Sequence, residues 1–419
     1  MYGPRRFSPR VLGAMLVTAI LCTIFVTLIW AIPARADDAG ATFTPGPNLN
    51  EPRGLHLIAT LPDGQVIVFG GYGGKVDGFE VYPKNAEIWI RATGSFTPNA
   101  MNCPRYGSAF AKLADGRYLL AGGNSDPNTA EIYNPATNSF TATATMPISL
   151  SFASAATLTS GKVLVIGSGS SQGVLFDPAD GTFTATENLN NSRVNPVILP
   201  AAGGTALVLG GYIIENDKSI TWVEQVELYD PDDNSFSILR NTLVLGDSGW
   251  YTGGGPYNLF SRSMETQMMS DGRYLFPATK FSESQYQPAL FTFDPATKQI
   301  DKFDVTPQLP TLSDDRSVNQ AFLWPVVDAS AGKAYVIYDD QIITVFLKNG
   351  TRNAPPGYYA DTYELLFFTG VTLLRDGRIF ITGGYGYPPA NSTTQTMFAT
   401  PGPRPNIVPT ILLPLLLSD

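Results

Sequence analysis

One histidine, His56, is all the imidazole in this 419-residue chain, and there are two cysteines, Cys22 and Cys103. So little imidazole and thiolate leaves a copper or zinc centre short of ligands, and no cofactor or metal is expected. A His-based triad could be formed only once, and no Gly-x-Ser-x-Gly elbow sits on a strand-to-helix turn to serve it. Charge is also scarce: 15% of residues are charged, with 27 basic against 36 acidic and a net charge of -9. That acidity excludes nucleic acid as a partner. No long amphipathic helix is legible, whereas 33 Pro and 40 Gly mark a chain rich in turns and β structure.

The chain opens with Arg5, Arg6 and Arg10 before an apolar stretch from Val11 to Ile32, followed by Ala34-Arg35-Ala36. This is the pattern of an export signal, residues 1–36, cleaved after Ala36, with retention as an N-terminal membrane anchor as the alternative. Cleavage would remove four Arg and no acid, leaving 23 basic and 36 acidic residues, a charge of -13. It would also leave Cys103 as the sole thiol, so no intrachain disulfide is expected to hold the secreted or cell-surface protein together.

What is abundant is repetition. Leu61-Pro-Asp-Gly-Gln-Val-Ile-Val-Phe-Gly-Gly71 and Leu113-Ala-Asp-Gly-Arg-Tyr-Leu-Leu-Ala-Gly-Gly123 return in altered form near 158–167, 203–211, 269–276, 331–338 and 374–384. Asp-Gly between two apolar runs is a strong hairpin signal, and the apolar second strand is expected to be buried on both faces. A second hairpin follows, with apolar residues seven apart around a turn: Trp89 and Phe96, Tyr133 and Phe140, Phe176 and Phe183, Tyr229 and Phe236, Phe293 and Ile300. A period of 40 to 50 residues implies repeated four-stranded units.

On these doublets and spaced aromatics, residues 37–399 resemble the kelch family, whose repeat folds as blades of a β-propeller. The resemblance implies an all-β propeller of seven four-stranded blades, with six as the alternative. The units near Arg262 and Arg316 carry Pro277-Ala278 and Tyr338-Asp339 in place of the doublet. The segment 41–49 reads like an outer strand, so the N-terminus is expected to complete the final blade and remove an exposed edge.

Consecutive turns of a meander alternate between its two ends, so the segments before the first strand and after the second share one face. The long loops 72–85, 212–222, 280–286 and 385–391 and the interblade stretch 241–260 collect there. Binding on a rigid scaffold concentrates in such loops. Arg53, Arg105, Arg193, Arg262 and Arg316 precede or begin the innermost strands and are expected at one mouth of the channel, as an anion site or as interblade ties. Tyr72, Tyr212, Trp250, Tyr251, Tyr257 and Tyr385 complete the expected ligand set, for a protein or glycan, on a monomer with no catalytic residue.

Galactose oxidase and related copper oxidases share this fold but rely on several His ligands and a Cys–Tyr crosslink. The resemblance therefore does not extend to their chemistry, given one His in the chain. The alternative to a binding module is a carbohydrate-active enzyme of epimerase or hydrolase type, with Glu265 and Asp314-Asp315 as first acids to test. Residues 400–419 form a Pro-rich linker and a short apolar tail, interrupted by Pro409 and Pro414 and too short to span a bilayer as a helix, read as a surface-attachment segment.

Overall fold

A computed structural model describes residues 42–168, 170–243, 250–251, 268–282, 285–305, 312–313, 325–338, 341–348, 370–384 and 392–401. The signal segment, the tail after Pro401, Arg262, Arg316, Glu265, Asp314 and Asp315 lie outside them. Every described regular element but one single 3-10 turn is a β-strand. Among the described residues no helix is long and apolar enough to cross a membrane.

The repeat units become antiparallel sheets. Five have four strands, one has five and one, Pro325–Phe346, has three; two small two-stranded hairpins are separate. The expectation of seven four-stranded blades is therefore corrected. Six sheets reach four or more strands, and the unit near Arg316 contributes three within the described residues. Like the unit near Arg262, it lacks the Gly-Gly doublet.

Each apolar cluster is shared by two neighbouring sheets. Ala109, Leu119 and Ile132 of the second sheet pack with Ala153, Val163 and Val174 of the third. Leu275 and Leu290 of the five-stranded sheet pack with Val327 and Val336 of the three-stranded one. The first and last sheets meet through Trp89, whose ring centroid lies 5.1 Å from Phe380 and 5.4 Å from Phe398. The apolar second strands, such as Val66–Phe69 and Tyr118–Ala121, are buried on both faces because each face meets a different neighbour.

First strands lie nearest the axis and are tied directly to one another. Thr60 Oγ1 is 2.9 Å from Thr372 Oγ1, and Ser154 Oγ donates to Pro196 O at 2.6 Å. The residues spaced by seven are direct cross-strand partners in all five pairs, from Trp89↔Phe96 to Phe293↔Ile300. At the outer edge, Thr42–Pro45 pairs antiparallel with Thr396–Thr400, in the register Thr42↔Thr400 and Pro45↔Met397. The last sheet thus contains strands from both ends of the described chain.

The first glycine of each doublet is required by its neighbour. Gly122 has φ +67°, and a Cβ there would lie 2.2 Å from the carbonyl oxygen of Leu150 in the next sheet. Gly123 N donates to that same carbonyl at 3.0 Å, so the sheets can approach no further apart without losing the bond. Gly116, at φ +88° in the Asp-Gly turn, has open space around it. Gly122→Ala should cost about 2–4 kcal/mol through clash and strain, and Gly116→Ala only about 1–2 kcal/mol through its backbone conformation. Thermal melts of the two variants measure the difference, and equal losses would contradict the packing argument.

Candidate binding face

Three of the five expected arginines turn inward instead of facing a channel mouth. Arg53, Arg105 and Arg193 are at most 2% exposed. Each guanidinium donates to the carbonyl of the first doublet glycine, at 2.8 Å to Gly70, 2.9 Å to Gly122 and 2.9 Å to Gly210. Each also donates to the backbone at the start of the third strand, at Asn85, Thr129 and Gln225. The charge is met by a buried glutamate on that third strand: Glu87 at 2.6 Å, Glu131 at 2.7 Å and Glu227 at 2.7 Å.

The second carboxylate oxygen of each Glu is also engaged. It accepts from the backbone N and the side-chain Nδ2 of Asn50, Asn102 or Asn190, three residues before the Arg. Burial lowers the Arg53 and Arg193 pKa values from the ordinary value, with the paired Glu opposing the shift. These guanidinium groups have no free fork for a ligand oxygen, which removes the three from the expected ligand set. Arg262 and Arg316 lie outside the described residues.

The sequence carries a signal for this arrangement. An Asn three residues before the Arg and a Glu two residues before the third-strand aromatic recur as Asn50/Glu87, Asn102/Glu131 and Asn190/Glu227. In the third sheet Leu150 and Val174 occupy the corresponding positions, both buried in one apolar cluster. The same joint is therefore built once without charge.

The expected aromatic residues divide similarly. Trp250 is 6% exposed, edge-on to Phe291 at 5.3 Å with Lys302 Nζ 4.9 Å from its ring centroid. Tyr212 is buried edge-on against Trp222 at 5.9 Å. Both serve packing, which takes them out of the expected ligand set. The side chain of Tyr251, and all of Tyr257 and Tyr385, lie outside the described residues. Tyr72 alone of the set stays half-buried on the loop face within an aromatic group.

That group was missed apart from Tyr72. Tyr82 and Tyr106 stack with centroids 5.0 Å apart and planes 8° apart, and Tyr72 lies 5.9 Å and 6.0 Å from them. Phe152 meets Tyr106 edge-on at 6.0 Å. Asn124 Nδ2 donates to the Tyr106 hydroxyl, the Tyr82 hydroxyl donates to Glu80, and Ser392 Oγ donates to Tyr72 O at 2.6 Å. Burial, and then the Glu80 carboxylate, raise the Tyr82 pKa, so its phenol stays neutral. Loops of the first, second and last sheets meet here beside the first strand of the third.

Beside this group the long loops are hairpins. Gly74–Val76 pairs with Phe79–Val81, and Tyr212–Ile214 with Ile220–Trp222. Their tips carry apolar side chains into solvent: Phe79 is 78% exposed, Val76 60% and Ile214 57%. Among the described residues no three His, Cys, Asp or Glu side chains are grouped to hold a metal ion. His56 is sealed under the joint of the first and last sheets, its Nε2 2.8 Å from Thr382 Oγ1. The face can stack, bury apolar groups and hydrogen bond.

No family model matches the chain. The chain is 27% identical over 227 residues to a putative F-box/kelch-repeat protein of Arabidopsis thaliana, covering 49% of this chain and 59% of that protein. It is similar to kelch-repeat proteins. A solved fungal alcohol oxidase of the AA5 family, in complex with copper, superposes with TM-score 0.59 at 15% identity, covering 85% of this chain and 76% of the oxidase. That likeness shows the fold alone, and the chain spans less than two thirds of its kelch relative. Both support a kelch-type all-β propeller.

Two predictions follow from the buried polar groups. Arg105→Leu strands the Glu131 carboxylate and should cost about 3–5 kcal/mol, whereas Arg105→Leu with Glu131→Val, imitating the third sheet, should recover most of it. Urea unfolding of both variants decides, and equal losses would refute the account. His56 has its pKa pushed down to about 3, chiefly by burial and then by Arg53. The folded state therefore binds fewer protons than the unfolded state between about pH 3 and the ordinary histidine value of 6.5. Stability falls as pH drops through that window, by about 1.4 kcal/mol per pH unit from this group, and His56→Gln should flatten the acid limb of a denaturation series.

Proposed function

We propose that this protein is an exported, non-catalytic binding module that engages a protein ligand through the loop face of a kelch-type propeller. The observation that carries the reading is the exposed apolar character of the two hairpins, with Phe79, Val76 and Ile214 held in solvent on a rigid β scaffold. Exposed aromatic and branched side chains on a scaffold are the anchors from which protein interfaces are built. The stacked Tyr82 and Tyr106 rings support a second reading, a glycan ligand, since a sugar ring packs on an aromatic face and bonds to neighbouring hydroxyl and amide groups.

The N-terminal strand paired with the last sheet fits a closed ring that presents this face rigidly, and the export pattern of residues 1–36 fits an extracellular or cell-surface setting. A carbohydrate-active enzyme remains the rival, and the oxidase with the related fold keeps catalysis on this architecture a question for assay. Nothing in the Tyr group couples a nucleophile to a base.

The test uses the intact protein immobilised on a biosensor against a displayed peptide library and a panel of neutral and acidic glycans. Phe79→Ser and Ile214→Ser should each weaken peptide capture by at least about tenfold with unchanged melting temperature. Capture of glycans alone, lost in Tyr82→Ala, would replace the protein ligand by a sugar. Turnover of any glycan in the panel would overturn the non-catalytic reading.

A further inference from the structure

The stacked tyrosines of the loop face stand in a corner where charge is unbalanced. The segments that build it, 50–56, 72–85, 101–108 and 122–129, bury Arg53 and Arg105 against Glu87 and Glu131 of the third strands. What they leave exposed or half-buried is Glu51, Asp77, Glu80 and Asp126 against Lys75 and Lys84. A ligand approaching this corner meets an excess of carboxylate.

The first hairpin divides its side chains between two sides. Strand Phe79–Val81 sends Phe79 and Val81 to one side, and alternation sends Glu80 and Tyr82 to the other, where the Tyr82 hydroxyl donates to Glu80 Oε2. Tyr82 stacks on Tyr106, with centroids 5.0 Å and planes 8° apart, and both rings stay half-buried, so part of each meets solvent. Asn124 holds Tyr106 at both ends: its Nδ2 donates to the hydroxyl, and its backbone N donates to the Tyr106 carbonyl at 3.0 Å. The platform is therefore set before any ligand arrives.

Elsewhere the chain covers aromatic rings with its own cations. Lys302 Nζ lies 4.9 Å from the Trp250 ring centroid, and the Arg378 guanidinium lies 4.6 Å from that of Phe398. Among the described residues no cation stands over Tyr82 or Tyr106, and none comes within ion-pair distance of Glu80, although Lys75 is its cross-strand partner. Glu80 Oε1 likewise accepts no hydrogen bond from a described group. Two phenol rings beside a carboxylate oxygen that faces solvent suit a planar cation, which lies on a ring and directs its N–H groups at the oxygen. A guanidinium has that shape, and an ammonium does not.

We propose that Tyr82, Tyr106 and Glu80 form a recognition site for an arginine side chain of the partner protein. The inference rests on the reading of the loop face as a protein-binding surface, and it names the partner segment as basic. The test uses the intact protein and needs no partner. N-acetylarginine amide is titrated by ligand-observed NMR and calorimetry, with the citrulline analogue, which keeps the shape without the charge, and the lysine analogue as comparators. Arginine should bind at least about tenfold more tightly than citrulline, and more tightly than lysine.

Glu80→Gln and Tyr82→Leu should each remove that preference, whereas Tyr82→Phe, which keeps the ring and releases Glu80 from the hydroxyl, should retain it. Phe79→Ser, on the other side of the hairpin, should leave it unchanged. Melting curves of these variants that match the unaltered protein establish that lost binding is local. Equal binding of arginine and citrulline, a preference that survives Glu80→Gln, or no binding of either would each overturn the assignment. Peptides captured through Phe79 but indifferent to exchange of arginine for citrulline would remove the arginine site and leave the loop-face reading standing. Arginine binding with no peptide captured would do the reverse.

Discussion

A guanidinium that grips the carbonyl of a glycine seventeen residues ahead fixes the geometry on which the ring depends. In the first, second and fourth sheets that single side chain ties the start of the unit to the end of its second strand and the beginning of its third. The glutamate beneath it then reaches back to the asparagine three residues before the arginine. Three segments distant in sequence are locked by one ion pair, and the glycine doublet beside it is left free to touch the next sheet. A buried ion pair adds little net stability over an apolar equivalent, but it tolerates only one arrangement of its partners. The third sheet, with Leu150 and Val174, shows that the joint itself can be apolar. Charge at this joint therefore specifies register among near-identical units more than it holds them together.

The architecture was legible because it is periodic. Asp-Gly turns, apolar second strands and residues seven apart each reported a local rule, and the strand pairs fall where those rules put them. The site was much less legible. The arginines repeated at the channel end fitted both an anion site and structural ties, because spacing along the chain does not reveal which way a long side chain turns. What decides the direction is the glutamate on the third strand, some thirty residues away, and the two halves of the signal were never read together. Trp250 and Tyr212 were misplaced for a related reason. An aromatic residue beside glycines is equally consistent with an open platform and with a sealed joint, and only the neighbouring sheet distinguishes them.

The two ends of the ring have different physical characters. The loop end is aromatic, with hairpins that lift apolar groups away from the sheets. The turn end is tight and carries carboxylate–cation pairs that cap the first hairpins of three units. A rigid set of sheets between them lets each end vary without disturbing the other. Substitutions on a hairpin tip expose nothing new, whereas a change in a doublet glycine moves two sheets at once.

The pairing of Thr42–Pro45 with Thr396–Thr400 sets an order on assembly. Strands that neighbour each other in sequence can pair as soon as they are made, but this ladder joins the first and the last of the described strands. Its loop-closure entropy is borne late, after every other sheet has formed. Until that moment the outer edge of the last sheet is an open template for another chain, and its strand, Thr396–Thr400, carries Met397 and Phe398. A truncated or slowly completed chain would be exposed to aggregation at that edge until Thr42–Pro45 covers it.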